Sequence, residues 1–122
     1  MPKGQLSYKR GDIWWVDLKP IVGSETDKER PCLILQNDIG NQNSPTTIIA
    51  PILPGAKTFP FVVNIKATKR NGLDKDRYVC LSQMRAVDAS RIKRKQGEIE
   101  DKYWNAIRKA IFIELGFDAV FT

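Results

Sequence analysis

Pro31-Cys32-Leu33-Ile34-Leu35 is an unbroken apolar run set between polar stretches. A run this short, bounded in this way, reads as a buried strand. Working outward from it, Ile13-Trp14-Trp15-Val16-Asp17-Leu18 is apolar, aromatic and β-branched, hence a second strand. Between the two, Pro20 to Glu29 reads as a long loop, of the kind that in compact chains is usually functional or mobile. On the other side, Gln36 to Pro45 is rich in Asn and Gly and reads as loop. Thr46 to Ile52 is β-branched and predicts a third strand, ended by Pro51 and Pro54. Leu53 to Pro60 is a second substantial loop, and Phe61 to Ile65 a strand. Tyr78 to Val87 predicts one further strand, with Cys80 and Leu81 on opposite faces. A short strand follows at Lys95 to Ile99. Residues 1–9 read as a polar arm, which leaves a single domain over residues 10–122.

The period then changes. Trp104, Ile107, Ile111 and Leu115 recur at spacings of three and four, one face of an amphipathic helix. Glu100 or Asp101 is the expected cap and Gly116 the expected stop. Strands followed by one long helix make the chain mainly β with α: a small curved sheet or barrel with the helix packed on it. Phe117 to Phe121 is one more apolar stretch, suited to the core or to a subunit interface. Trp14 and Trp15, adjacent in a strand, face opposite ways, so at least one belongs to the core.

The 122 residues are enough for one domain, typically roughly 100–150 residues, with a real core. No apolar run approaches the roughly 20 residues of a membrane span. Met1-Pro2-Lys3-Gly4-Gln5 lacks the apolar stretch of a signal peptide, so a cytoplasmic location is expected. Cys32 and Cys80 are the only cysteines, which excludes a disulfide framework. The absence of histidine excludes a His-based triad, a His–His ribonuclease site and the usual zinc sites, so no metal or other cofactor is expected. The net charge of +6 is local: residues 66–95 carry ten Lys or Arg against three acids. Such a stripe suits a phosphate backbone or an acidic protein tail, and equally a merely soluble face.

Four segments stand out together: Arg10-Gly11-Asp12-Ile13-Trp14-Trp15-Val16-Asp17; Gly23-Ser24-Glu25 through Arg30-Pro31; Gln36-Asn37-Asp38; and Pro60-Phe61 with Ser82-Gln83-Met84-Arg85. Each is weak alone. In this order and spacing the chain resembles the MazF/PemK family of toxin ribonucleases, from about Arg10 to the C-terminal helix. The resemblance implies a small SH3-like β-barrel with a C-terminal helix, assembled as a homodimer. It implies the toxin of a type II toxin–antitoxin system, an endoribonuclease that cuts single-stranded mRNA at a short sequence without a metal. The ribose 2′-oxygen attacks the adjacent phosphate and leaves a cyclic phosphate and a 5′-hydroxyl. An antitoxin would lay an acidic segment into the same groove.

By the same resemblance Arg30 is the catalytic residue. A guanidinium offers a rigid fork of donors to phosphate oxygens, and it suits stabilisation of the developing phosphorane better than proton abstraction. Read without the family, Arg30 is a surface arginine paired with Asp27 or Glu29. Gly23, Ser24 and Glu25 would line the RNA groove, and Gln36, Asn37 and Gln83 carry amides able to read base edges. Phe59 can stack a base, and Lys57 and Arg85 suit phosphates. The sequence departs from the family where it usually has a catalytic Thr or Ser: that position is Leu53, which cannot donate a hydrogen bond. Either another hydroxyl (Ser24, Thr47 or Thr58) stands in, or Lys57 supplies the charge, or the chain binds RNA or antitoxin without cutting. A third class, a CcdB-like inhibitor of another protein, shares the implied fold but gives Arg30 no role.

Overall fold

The structure, a computed structural model, describes residues 7–20, 23 and 29–117. Seven strands and two helices follow one another: β1 (Asp12–Asp17), β2 (Glu29–Ile34), α1 (Asp38–Asn43), β3 (Thr46–Pro54), β4 (Val62–Ile65), β5 (Arg77–Cys80), β6 (Arg85–Asp88), β7 (Ile92–Glu98) and α2 (Trp104–Glu114). Every pairing is antiparallel, in the order β4-β5-β3-β2-β1-β7, with β6 also on β3.

β3 organises the sheet. One of its edges pairs with β2; the other is shared, Thr46 to Ile49 with β6 and Ile52 to Pro54 with β5. The expected single strand from Tyr78 to Val87 is therefore two. Ile52 pairs with Val79 and Ile49 with Arg85, so three steps along β3 match six along its partner. The surplus is thrown out as a 3-10 turn at Leu81–Gln83. Strand propensity runs through this segment unbroken; only the shared partner edge forces the break.

Alternation puts two apolar sets on opposite faces of the sheet. Ile13, Leu33, Ala50, Ile52, Val63, Ile65, Val79 and Leu81 form one core, closed by Ile107 and Ala110 of α2. Trp14, Val16, Cys32, Ile34, Ile49, Val87 and Ile92 form the other, with Tyr8 and Leu18, and among the described residues neither α1 nor α2 contributes to it. Trp14 is buried and Trp15 half-buried, its indole Nε1 donating to Gln96 Oε1 at 2.7 Å under the Arg94 guanidinium. Tyr8 is 5% exposed, so the arm does not stay polar throughout; residues 1–6 lie outside the described residues.

The barrel expected from the resemblance is not closed by strands. β4 and β7 stand at the two ends of the pairing path. The segment following β4 covers the outer edge of β7 instead: Glu98 N donates to Arg70 O at 3.0 Å. Two glycines allow this approach. A Cβ on Gly97 would lie 2.4 Å from the Asn71 backbone, and one on Gly72 (φ +73°) 2.1 Å from Gln96 O. Asn71, fully buried, holds the segment by accepting from Thr68 N and Leu73 N and donating to Lys66 O.

Two further expectations change. Gln36 to Pro45 contains a short helix, α1, capped by Asn37, whose Oδ1 accepts from Gly40 N at 2.8 Å. Glu100 makes no cap bond at α2, which starts at Trp104 after a 3-10 turn at Asp101–Tyr103. The Glu100 carboxylate instead accepts from Thr68 Oγ1 and Asn71 Nδ2. Gly116 does stop the helix, at φ +79°. Leu115 is on the surface, and Phe117 packs edge-to-face on Phe112 at 6.5 Å; residues 118–122 lie outside the described residues.

Candidate nucleic-acid interface and cleavage site

The face opposite the α2 core carries the candidate site. Arg30 pairs with Val16 across β1, and the β2–β3 register, continued by two residues, sets Arg30 opposite Leu53. Leu53 pairs with Tyr78, and Tyr78 with Asn64. Arg30, Leu53, Tyr78 and Asn64 thus form a row across β2, β3, β5 and β4, all on the face opposite the α2 core. Asn64 ends the row by clamping the loop before β4: its side chain accepts from Lys57 N at 3.1 Å and donates to Lys57 O at 2.8 Å.

Arg30 is half-buried, its Nε fully so, and no described residue hydrogen-bonds or ion-pairs with its guanidinium. Of the two acids that the sequence offered as partners, Glu29 pairs with Arg94 at 3.4 Å, and Asp27 lies outside the described residues. Arg77 makes the contrast clear. Its Nε is also buried without a partner, but its Nη2 meets Asp74 at 3.1 Å. A buried cation without a counter-charge is costly unless a ligand completes it.

The same face opens into a cleft of about 260 Å³, lined by Leu18, Ile49, Pro51, Ser82, Gln83, Met84 and, at the start of β6, Arg85. The surplus residues between β5 and β6 are what place Gln83 and its neighbours at this rim. Cys32 is buried on this face. Burial pushes its thiol well above the usual range, while the Arg30 and Arg85 guanidiniums both act to pull it down. Cys32 is therefore a buried, uncharged thiol, not a nucleophile.

The other candidates separate. Phe59 is 54% exposed and stacks on Phe61, ring centroids 5.2 Å apart and nearly parallel. Lys57 is exposed at the far end of the Arg30 row. Gly23 is exposed at φ +59°; Ser24 and Glu25 lie outside the described residues. Gln36 and Asn37 stand at the opposite end of β2 from Arg30 and have structural work. Gln36 Nε2 donates to Asn41 Oδ1 (3.1 Å) and Thr46 O (2.9 Å), and Asn37 caps α1. Thr47, offered as a substitute hydroxyl, is fully buried and donates to Asn41 Oδ1 at 2.6 Å. Tyr78 shares the row although the sequence reading did not single it out. Its signal, an aromatic at a strand position facing Leu53, appears only once the register is known.

The basic segment is not a stripe. Its cations spread over several elements and many meet partners: Arg70 and Lys95 meet Glu98, Lys95 also meets Asp12, and Arg94 meets Glu29. Arg91 donates to the carbonyls of Asp17 and Lys19. A second cleft, about 240 Å³, lies between Arg10 and α2 on the other face, lined by Leu35, Trp104 and Ile107, and it gathers none of the candidates. Among the described residues no helix is long and apolar enough to cross a membrane.

This architecture and this sequence have relatives. Over residues 9–115 the chain matches the family described as PemK-like, MazF-like toxin of type II toxin-antitoxin system, and it belongs to that family. Endoribonuclease EndoA of Bacillus subtilis is 42% identical over 113 residues, covering 90% of this chain and 96% of its own length. Endoribonuclease MazF of Staphylococcus saprophyticus is 41% identical over 115 residues, covering 92% and 94%. Among solved structures, MazF from Deinococcus radiodurans superposes with a TM-score of 0.75 at 24% identity, covering 91% of this chain and 98% of that one. A mycobacterial endoribonuclease in complex with its cognate antitoxin gives 0.73 at 20%, covering 89% and 95%.

Proposed function

We propose that the chain is the toxin of a type II toxin–antitoxin pair and a metal-independent endoribonuclease that cleaves single-stranded mRNA at a short sequence. In the reaction a bond forms between the ribose 2′-oxygen and phosphorus as the bond from phosphorus to the 5′-oxygen breaks. The 2′-hydroxyl gives up a proton, the 5′-oxygen gains one, and no water is consumed. The observation that carries this reading is the Arg30 guanidinium, unpaired among the described residues and half-buried, on the same sheet face as a cleft lined by Gln83 and Arg85. Its donors would meet the non-bridging oxygens as charge builds on the phosphorane.

Around it, Arg85 and Lys57 would hold neighbouring phosphates, Gln83 would read a base edge, and Phe59 would stack a base. By the resemblance, Gly23, Ser24 and Glu25 would also contact the RNA. Membership of the family supports a homodimer, with the groove shared between two copies acting in the cytoplasm. The mycobacterial and Deinococcus toxins solved with antitoxins support a cognate antitoxin here, whose acidic segment would compete with RNA for these cations. A second reading, binding of RNA or antitoxin without cleavage, is favoured by Leu53 alone.

The test is end-mapping of RNA after digestion with purified protein in EDTA. The proposal expects cuts at one short sequence with 5′-hydroxyl ends. Fragments with 5′-phosphates, or activity that disappears with chelator, would overturn the mechanism. RNA bound but left intact would favour the second reading.

A further inference from the structure

The row through Arg30 holds one more group with the chemistry for phosphate. A phosphorane has two non-bridging oxygens, and a second donor beside the guanidinium adds to its stabilisation. Leu53, the immediate neighbour of Arg30 in the row, has nothing to donate. The next member does. Tyr78 pairs with Leu53 on the same face, so it flanks Leu53 on the side opposite Arg30. Adjacent strands lie about 4.8 Å apart, which roots Arg30 and Tyr78 about 10 Å from each other, within the combined reach of a guanidinium and a phenol. Tyr78 is half-buried, and its hydroxyl has no hydrogen-bond partner among the described residues. Tyr103 differs: its hydroxyl accepts from Lys66 N at 3.1 Å.

The competing hydroxyls are less well placed. Thr47 is buried and committed to Asn41. Ser82 is in contact with the Cys80 sulfur at 3.2 Å. Thr58 is on the exposed loop held at the Asn64 end of the row, beyond Tyr78. From this arrangement we infer that Tyr78 is a catalytic residue: its phenol donates a hydrogen bond to a non-bridging oxygen of the phosphate that Arg30 grips, across the apolar ridge of Leu53. The inference rests on the nuclease reading above. Tyr78 transfers no proton; it adds a neutral donor whose bond strengthens as negative charge develops.

The experiment measures kcat and KM on a synthetic oligoribonucleotide containing one mapped cut site. Tyr78→Phe should lower kcat by about 10²-fold and leave KM almost unchanged, since the lost bond acts chiefly in the transition state. Adding Leu53→Thr to Tyr78→Phe should recover at least about tenfold, because it restores a hydroxyl one strand nearer Arg30. Tyr103→Phe, an equal loss of one oxygen elsewhere, should leave kcat unchanged, and melting curves should show all variants folded. Wild-type kcat in Tyr78→Phe, with Arg30→Ala inactive, would overturn the role of Tyr78 and leave the nuclease standing. Full activity in Arg30→Ala would bring down both.

Discussion

The two ends of β2 carry similar polar residues put to opposite uses. At the C-terminal end, the Gln36 amide binds Asn41 and Thr46, Asn37 caps α1, and the buried Asn41 joins Gln36, Asp38 and Thr47 in one network. At the N-terminal end, Arg30 has no bond from its guanidinium to any described residue. Buried polar groups in native proteins find partners. A network that is complete therefore marks architecture, and a cation without a partner among the described residues marks the end of β2 at which to look for a ligand.

Variants at the two ends should fail in different assays. The largest effect belongs to Arg30→Gln, which removes the charge and most of the fork: cleavage should fall by on the order of 10³-fold with the melting temperature unchanged. A large loss of stability in that variant would make Arg30 structural. Asn41→Ala should do the reverse. It strands the Thr47 hydroxyl and the Gln36 carbonyl, and about 2–3 kcal/mol of stability should disappear from urea unfolding, while the surviving folded protein cleaves at the normal rate. Arg85→Gln should weaken binding to an uncleavable RNA by about tenfold and lower the slope of log Kd against log salt by about 0.7, the value of one single-stranded phosphate contact. An unchanged slope would remove Arg85 from the phosphate path.

The smallest effect lies at the structural end and depends on pH. The Arg10 N–H bonds Asp38 Oδ1 at 2.7 Å and holds that carboxyl below the usual carboxylate range. A folded pKa below the unfolded one stabilises the protein above the ordinary carboxylate pKa, and that stabilisation is lost as pH falls through the depressed value. Melting temperatures of wild type and Asp38→Asn should therefore differ slightly near about pH 6 and converge towards about pH 3. Parallel curves would show that the bond contributes nothing.

What the sequence made legible was local. The apolar run at 31–35, the β-branched and aromatic residues of β1 and β3 and the three-four spacing in α2 are each carried by their own residues. The features it hid depend on partners distant in sequence. The break between β5 and β6 exists because both strands share one edge of β3. The open barrel exists because residues near Asn71 cross β7, a feature signalled only by Gly72 and Gly97. The cations of residues 66–95 look like a stripe until Asp12, Glu29 and Glu98 come to meet them. At the site, Arg30, Gln83 and Arg85 were nameable as candidates from their motifs. Gln36 and Asn37 carry equally suitable amides, but no motif reveals that those amides are already occupied. Tyr78 belongs to no motif, and only strand register aligns it with Arg30.

RNA should engage the Arg30 end of β2 and leave the Gln36 end untouched. Side-chain NMR of the protein with a 2′-O-methyl oligonucleotide, which cannot be cut, tests this directly. The account predicts that the Arg30 Nε–Hε resonance shifts and becomes protected from exchange, while the Gln36 and Asn37 side-chain amides stay where they were. Movement of those amides with Arg30 unaffected would contradict it.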